Sequence, residues 1–100
     1  MKTIMIVDDE PDVLEIVKSC LESDDFEVIT ATNSREALEI MNEEEENFGL
    51  ILIDTHIPDS SKSALFSMKP KSKMDTSKLE DFLQKPFTRE QLLDFVKRRI

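Results

Sequence analysis

The feature that most constrains this chain is a recurring unit: a short, unbroken apolar run, stopped by acidic or polar residues, then apolar residues at helical spacing. Thr3–Val7 is the first such run. Apolar side chains at consecutive rather than alternate positions mark a strand covered on both faces, as in a parallel sheet. The run stops at Asp8-Asp9-Glu10-Pro11, where Pro11 suits the first position of a helix because its missing N–H is not needed there. Val13, Leu14, Ile16, Val17, Cys20 and Leu21 then recur at helical spacing up to the break at Ser23-Asp24-Asp25. Phe26–Ala31 reads as a second strand. Asn33, with Glu36 three residues on, marks the next helix start, and Ala37, Leu38, Ile40 and Met41 share its apolar face. That helix runs into the solvated acidic stretch Glu43–Glu46, and Leu50–Ile53 forms a third apolar strand ending at Asp54.

The later part is less regular. Ala64–Met68 reads as a short fourth strand and Asp81–Gln84 as a fifth, just before Lys85-Pro86. Pro70–Ser77 is the least structured-looking stretch. The last helix is plainly marked, with Thr88 as its cap, Gln91 at the capping-box position and Leu92, Leu93, Phe95, Val96 and Ile100 as its buried stripe. Strands alternating with helices predict an α/β fold with a doubly wound parallel sheet. With 100 residues in all, one domain spanning 1–100 is expected.

Composition removes several functions. A single Cys20 excludes a disulfide framework within the chain and points to a reducing, cytoplasmic setting. No apolar run reaches the length of a membrane span. A net charge of −9, with no Trp or Tyr, argues against a nucleic-acid partner, whose affinity rests on basic charge. The charge is unevenly placed: residues 1–59 carry a net −14 and residues 60–100 a net +5. The acidic part suits a cation, and the basic part a phosphate or an acidic partner.

In a sheet of this kind ligands bind beyond the carboxyl ends of the strands. Asp8 and Asp9 follow the first strand and Asp54 follows the third. If those strands are neighbours, three carboxylates converge, and a hard divalent cation is the expected counter-charge. Few carboxylates in an open site suit Mg²⁺, which keeps several waters and binds phosphate oxygens alongside. The competing reading is that these acids merely favour helix N-termini.

The segments MKTIMIVDDEPDVLEIV, GLILIDTHIP and DFLQKPF resemble the receiver domain of two-component response regulators in order, spacing and strand-end placement. The resemblance implies a flavodoxin-like sheet of order 2-1-3-4-5. It implies that Asp54 is the phosphoacceptor, taking a phosphoryl group from a histidine of a sensor kinase. Asp9, Asp54 and the backbone carbonyl of His56 would then ligate Mg²⁺, with Asp8 acting through water. Lys85 would pair with Asp54 and then with the phosphoryl oxygens. Ser67 stands where the family has a hydroxyl that reaches the phosphoryl group, Phe82 matches an aromatic switch position, and Lys85-Pro86 a cis peptide. Such a domain catalyses only its own phosphorylation and dephosphorylation. Its partners are the kinase and a downstream protein target. The alternatives are a degenerate receiver that binds partners without phosphorylation, or a Mg²⁺-dependent phosphohydrolase. The latter is disfavoured because His56 stands where such an enzyme needs a second acid.

One stretch departs from the family. Only Thr55–Ser63, nine residues, separate Asp54 from the fourth strand, whereas a parallel crossover normally takes a dozen or more. Extended, they span about 30 Å, enough to return beside a strand of about 15 Å. The helix that normally lies here is therefore expected to be missing or reduced, with the fourth strand kept parallel so that Ser67 reaches the site. The rival alignment keeps a helix at Lys62–Lys69 and loses the strand. Met68 would crowd the phosphoryl site and, with the His56 imidazole, slow hydrolysis. An uncovered sheet face would expose residues such as Leu50, Leu52 or Leu65 and favour weak self-association. The following helix, within Ser72–Glu80, is expected to be one or two turns. No output domain follows the last helix, so the chain reads as a stand-alone receiver or a fragment of something longer.

Overall fold

All five residues of β1 (Thr3–Val7) are buried, as a strand with apolar side chains at consecutive positions requires if both its faces are covered. In the computed structural model, which describes residues 2–43, 48–56, 62–68 and 81–100, β1 lies inside a five-stranded sheet of order β2-β1-β3-β4-β5. The other strands are β2 (Glu27–Ala31), β3 (Phe48–His56), β4 (Ser63–Met68) and β5 (Asp81–Gln84). Three helices are described: α1 (Pro11–Glu22), α2 (Ser34–Glu43) and α3 (Arg89–Lys97).

The side-chain period of two along each strand divides the core into two layers. Ile4, Ile6, Leu50, Leu52 and Leu65 face α1 and α3, which bring Leu14, Val17 and Leu21, and Leu92, Phe95 and Val96. Met5, Val7, Ala31, Ile51, Ile53 and Met68 form the other layer with Ala37 of α2. Each fully buried Leu or Ile contributes roughly 1.5–3 kcal/mol.

The helix starts follow the sequence signals, with one variation. Pro11 begins α1 without a side-chain cap from Glu10; instead the Glu10 N–H donates to Asp8 Oδ1 at 3.0 Å. At α2 the Glu36 N–H donates to Asn33 Oδ1 at 2.8 Å, and the Thr32 hydroxyl donates to the Glu36 carboxylate at 2.7 Å. The reciprocal half of the box thus reaches one residue earlier than Asn33. Thr88 and Gln91 form a complete capping box at α3.

The strand order is the expected one, but the direction of β4 is not. β1 pairs in parallel with both β2 and β3, whereas β4 runs antiparallel to β3, with His56 opposite Ser63 and Ile51 opposite Met68. β5 is antiparallel to β4 and so runs the same way as β3. The cause is connection length. Antiparallel neighbours need only a short turn, while a parallel return must carry the chain back along the strand. Only residues 57–62 separate β3 from β4, and no described helix lies between them.

Two expectations are corrected here. Leu50, Leu52 and Leu65 are not left open: they are 2, 0 and 0 % exposed, under α1 and α3. Met68 lies in the α2-side layer opposite Ile51, well inside the sheet. Ser63–Met68 is strand, as preferred over the rival helix at Lys62–Lys69. Most of the Glu43–Glu46 run, the Pro70–Ser77 stretch and the helix expected within Ser72–Glu80 lie outside the described residues.

Candidate functional site

β1 and β3 are parallel neighbours with Val7 opposite Ile53, so their next residues, Asp8 and Asp54, emerge side by side. Asp9 completes the group: Asp8, Asp9 and Asp54 each offer a carboxylate oxygen within 4.8 Å of the others. Lys85, at the end of β5, reaches in from the far side of β4. Its Nζ is 2.9 Å from Asp54 Oδ1 and 3.6 Å from Asp8 Oδ2. The Lys85 backbone N–H donates to the Ser63 carbonyl at 3.2 Å, which fixes the root of the side chain to β4. The peptide bond that follows, Lys85-Pro86, is cis.

The electrostatics follow from burial and crowding. Asp8 is 2 % exposed. Burial raises its carboxyl above the ordinary Asp value, and the Asp54 carboxylate pushes the same way. The Glu10 N–H and the Lys85 charge pull it back only in part. Asp8 Oδ2 is buried and accepts no hydrogen bond. For Lys85, burial works against the ammonium, but Asp54, then Asp8 and Glu10, outweigh it, so its pKa is raised. One cation therefore stands against three carboxylates. Hard oxygen donors at this spacing, one of them buried without a hydrogen bond, fit a small divalent cation that keeps part of its water shell.

A pocket of about 500 Å³ opens over the cluster, lined by Asp8, Asp9, Asp54, Asn33, Thr55 and Ser63 among others. It is bounded on one side by the β1–α1 turn and on another by the β2–α2 turn. This is where an α/β sheet places a ligand.

Not every residue singled out in the sequence arrives here. Asp8, Asp9, Asp54 and Lys85 do. Ser67 does not: with β4 reversed it lies opposite Leu52, is fully buried, and donates a 3.4 Å hydrogen bond to the Asp81 carbonyl. Met68 is farther still from Asp54 and does not flank the pocket. Phe82 is opposite Phe66, on the other face of the sheet from Asp54, with ring centroids 5.2 Å apart and 42 % exposure. His56 ends β3 opposite Ser63. Ser63 itself was missed by sequence reasoning, because the parallel return assigned to β4 put its other end at the site. The short connection was the signal that could have found it.

Beside the cluster, Val13, Ile16 and Val17 of α1 and Lys85, Pro86 and Phe87 line an open, largely apolar groove of about 490 Å³. Ile16 is 63 % exposed there.

Comparison with known proteins gives the family. The chain is 32 % identical to the two-component response regulator ARR11 of Arabidopsis thaliana over 56 % of its length. It is 36 % identical to the transcriptional regulatory protein CpxR homolog of Haemophilus influenzae over 58 %. It is 31 % identical to the hybrid signal transduction histidine kinase M of Dictyostelium discoideum over 89 %. The chain spans 11, 24 and 4 % of these three relatives. In structure it resembles the chemotaxis protein CheY4 of Vibrio cholerae, with a TM-score of 0.74 and 22 % identity over 100 % of this chain and 99 % of that one. A receiver domain protein of Clostridium thermocellum gives 0.68 at 20 % identity, over 98 % and 96 %. No described helix is long and apolar enough to cross a membrane. Residues 4–73 match the response regulator receiver domain, and the chain belongs to that family.

Proposed function

We propose that this chain, read as one receiver domain over 1–100, accepts a phosphoryl group on Asp54 from a histidine of a sensor kinase in the cytoplasm. The observation that carries the reading is the Asp54–Lys85 ion pair set among Asp8 and Asp9 at the mouth of an open pocket. In the transfer the donor's N–P bond breaks as an Asp54 Oδ–P bond forms; with the donor's other ring nitrogen already protonated, the bonding pair stays on the departing nitrogen and neutral imidazole leaves. The transition state is loose, so the protein contributes position and countercharge rather than covalent help. Asp54 is held in line by Lys85, and the same ammonium meets the charge gathering on the phosphoryl oxygens.

Asp8, Asp9 and Asp54 would hold Mg²⁺, with the His56 carbonyl as a further ligand. The Ser63 carbonyl is taken by Lys85, so His56 and Ser63 form a non-hydrogen-bonded pair and the His56 carbonyl is not committed to β4. Bound Mg²⁺ supplies charge neutralisation for the phosphoryl oxygens. The acyl phosphate so formed is labile, which suits a reversible signal passed to a downstream target. The exposed groove around Ile16, next to Lys85, offers the kinase an apolar docking surface within reach of Asp54. Phe82, exposed on the opposite face, offers a separate surface to a target or a second copy.

Incubation with acetyl phosphate and Mg²⁺, followed by intact mass, tests the reading. One stoichiometric phosphoryl group that Asp54→Asn abolishes is expected. No adduct would favour a degenerate receiver, and steady turnover of organic phosphates a hydrolase.

A further inference from the structure

We propose that Ser63, and not Ser67, is the hydroxyl that positions a phosphoryl group carried by Asp54; the inference rests on Asp54 being the acceptor. A phosphoryl group brings three strong acceptor oxygens to one point. Lys85 can meet one of them, at a site where its ammonium already lies 2.9 Å from Asp54 Oδ1. The others need donors from the pocket wall.

Strand register points to the donor. Asp54 is opposite Leu65, so Ser63 and Ser67 are its two diagonal neighbours on the same face of the sheet. Diagonal neighbours lie roughly 7–8 Å apart between Cα atoms, a gap that a phosphoryl group on the carboxylate bridges. The two serines lie on opposite sides of Asp54 along the strand. Ser67 is on the inner side, fully buried, with its hydroxyl engaged by the Asp81 carbonyl. Ser63 is on the outer side and lines the pocket together with Asp54.

Two further features fit the role. Among the described residues the Ser63 hydroxyl has no hydrogen-bond partner that a new acceptor would have to displace. Its backbone is not free, because the Ser63 carbonyl accepts the Lys85 N–H at 3.2 Å. The hydroxyl and the ammonium are thereby placed as a pair, by one hydrogen bond between β4 and the end of β5. A donor held by backbone pairing loses little freedom when it engages the phosphoryl oxygens.

The test is the rate of labelling of the full chain by acetyl phosphate with Mg²⁺, read by intact mass. A hydrogen bond to a charged group is worth enough that Ser63→Ala should slow labelling about tenfold or more. Ser63→Thr, which keeps the hydroxyl, should label within about threefold of wild type, as should Ser67→Ala. Melting curves of the three variants exclude a folding defect as the cause. Ser63→Ala labelling at the wild-type rate, Ser63→Thr as slow as Ser63→Ala, or slowing by Ser67→Ala instead, each overturns the assignment. Asp54→Asn run alongside separates the two readings. If wild type labels and Asp54→Asn does not, the acceptor stands whatever Ser63 shows. If Asp54→Asn labels fully, or wild type does not label at all, both fall.

Discussion

Lys85 Nζ lies 2.9 Å from Asp54 Oδ1 and reaches it across β4, so the residue that follows β5 is tied to one near the end of β3. The same ammonium is 3.6 Å from Asp8 Oδ2, a buried oxygen with no hydrogen bond. One cation therefore restrains two carboxylates whose mutual repulsion would otherwise oppose the fold. Lys85→Met removes that restraint. Breaking a partly buried ion pair in this way should cost about 1–3 kcal/mol of metal-free stability at neutral pH. Urea unfolding at two pH values checks it, with the deficit expected to shrink at the lower one as the raised Asp8 carboxyl gains a proton. An equal deficit at both pH values would show that lost packing, not charge, is responsible.

Asp8 offers a test with a definite sign. Its carboxyl is raised in the folded state, chiefly by burial and then by Asp54. The folded protein thus holds a proton more tightly than the unfolded chain, whose Asp titrates near pH 4, about the model-peptide value. Stability linked to Asp8 is full below that pH and is lost as pH rises through the folded value. Asp8→Asn cannot ionise and should escape this loss, melting higher than wild type at pH 7 without metal. Mg²⁺ should raise the wild-type melting temperature, because only the folded chain assembles the three carboxylates, and should raise the variant's less. Scanning calorimetry from pH 4 to pH 8, with and without Mg²⁺, decides. A wild type that grows more stable than the variant as pH rises would contradict the assigned direction.

How much of this was legible in advance depended on whether the signal was local. The five strands and the Thr88–Gln91 cap are written in short-range patterns, apolar runs and capping residues, and β1 and β5 have the limits the pattern gave. The acidic triad was legible for the same reason, since each Asp follows a readable strand and adjacent strand ends converge. Strand direction is not a local property. Ser63–Met68 has the same composition whichever way it runs, and only the length of the chain before it decides. The reading of a parallel return kept Ser67 at the site and Met68 beside it; the antiparallel strand replaces them with Ser63. That the Asp54 and Lys85 side chains meet across β4 was implied by resemblance, not by any spacing in the sequence.

The groove beside Lys85 should separate two routes of phosphorylation. Ile16 is 63 % exposed, and with Val13 and Phe87 it forms an apolar surface next to Lys85. If a kinase docks on that surface, a small donor has no use for it. Ile16→Asp should leave labelling by acetyl phosphate unchanged and slow transfer from a phosphorylated histidine kinase about tenfold or more, as loss of an interface anchor typically does. The comparison needs both donors on the same preparation. Equal slowing with both would place Ile16 in the fold or the chemistry instead, and no slowing with either would remove the groove from the docking surface.

The direction of β4 can be tested without any reference to phosphorylation. In the antiparallel register His56 is opposite Ser63, and the pair is not hydrogen-bonded because the Ser63 carbonyl is bound to the Lys85 N–H. Such pairs bring their Cα atoms to about 4.5 Å, inside the range a disulfide can bridge. His56→Cys with Ser63→Cys, in a Cys20→Ser background, should therefore oxidise readily in the folded protein. His56→Cys with Ser67→Cys should not, because four residues of β4 carry position 67 about 13 Å along the strand from position 63. A parallel β4 reverses the expectation, since it brings Ser67 to the end of β3 and takes Ser63 away. Mass spectrometry after mild oxidation, under native conditions and in urea, distinguishes the cases. Cross-linking confined to the 56–63 pair and strongest in the folded state would establish the hairpin, whereas preference for the 56–67 pair would restore the parallel strand and return Ser67 to the acidic cluster.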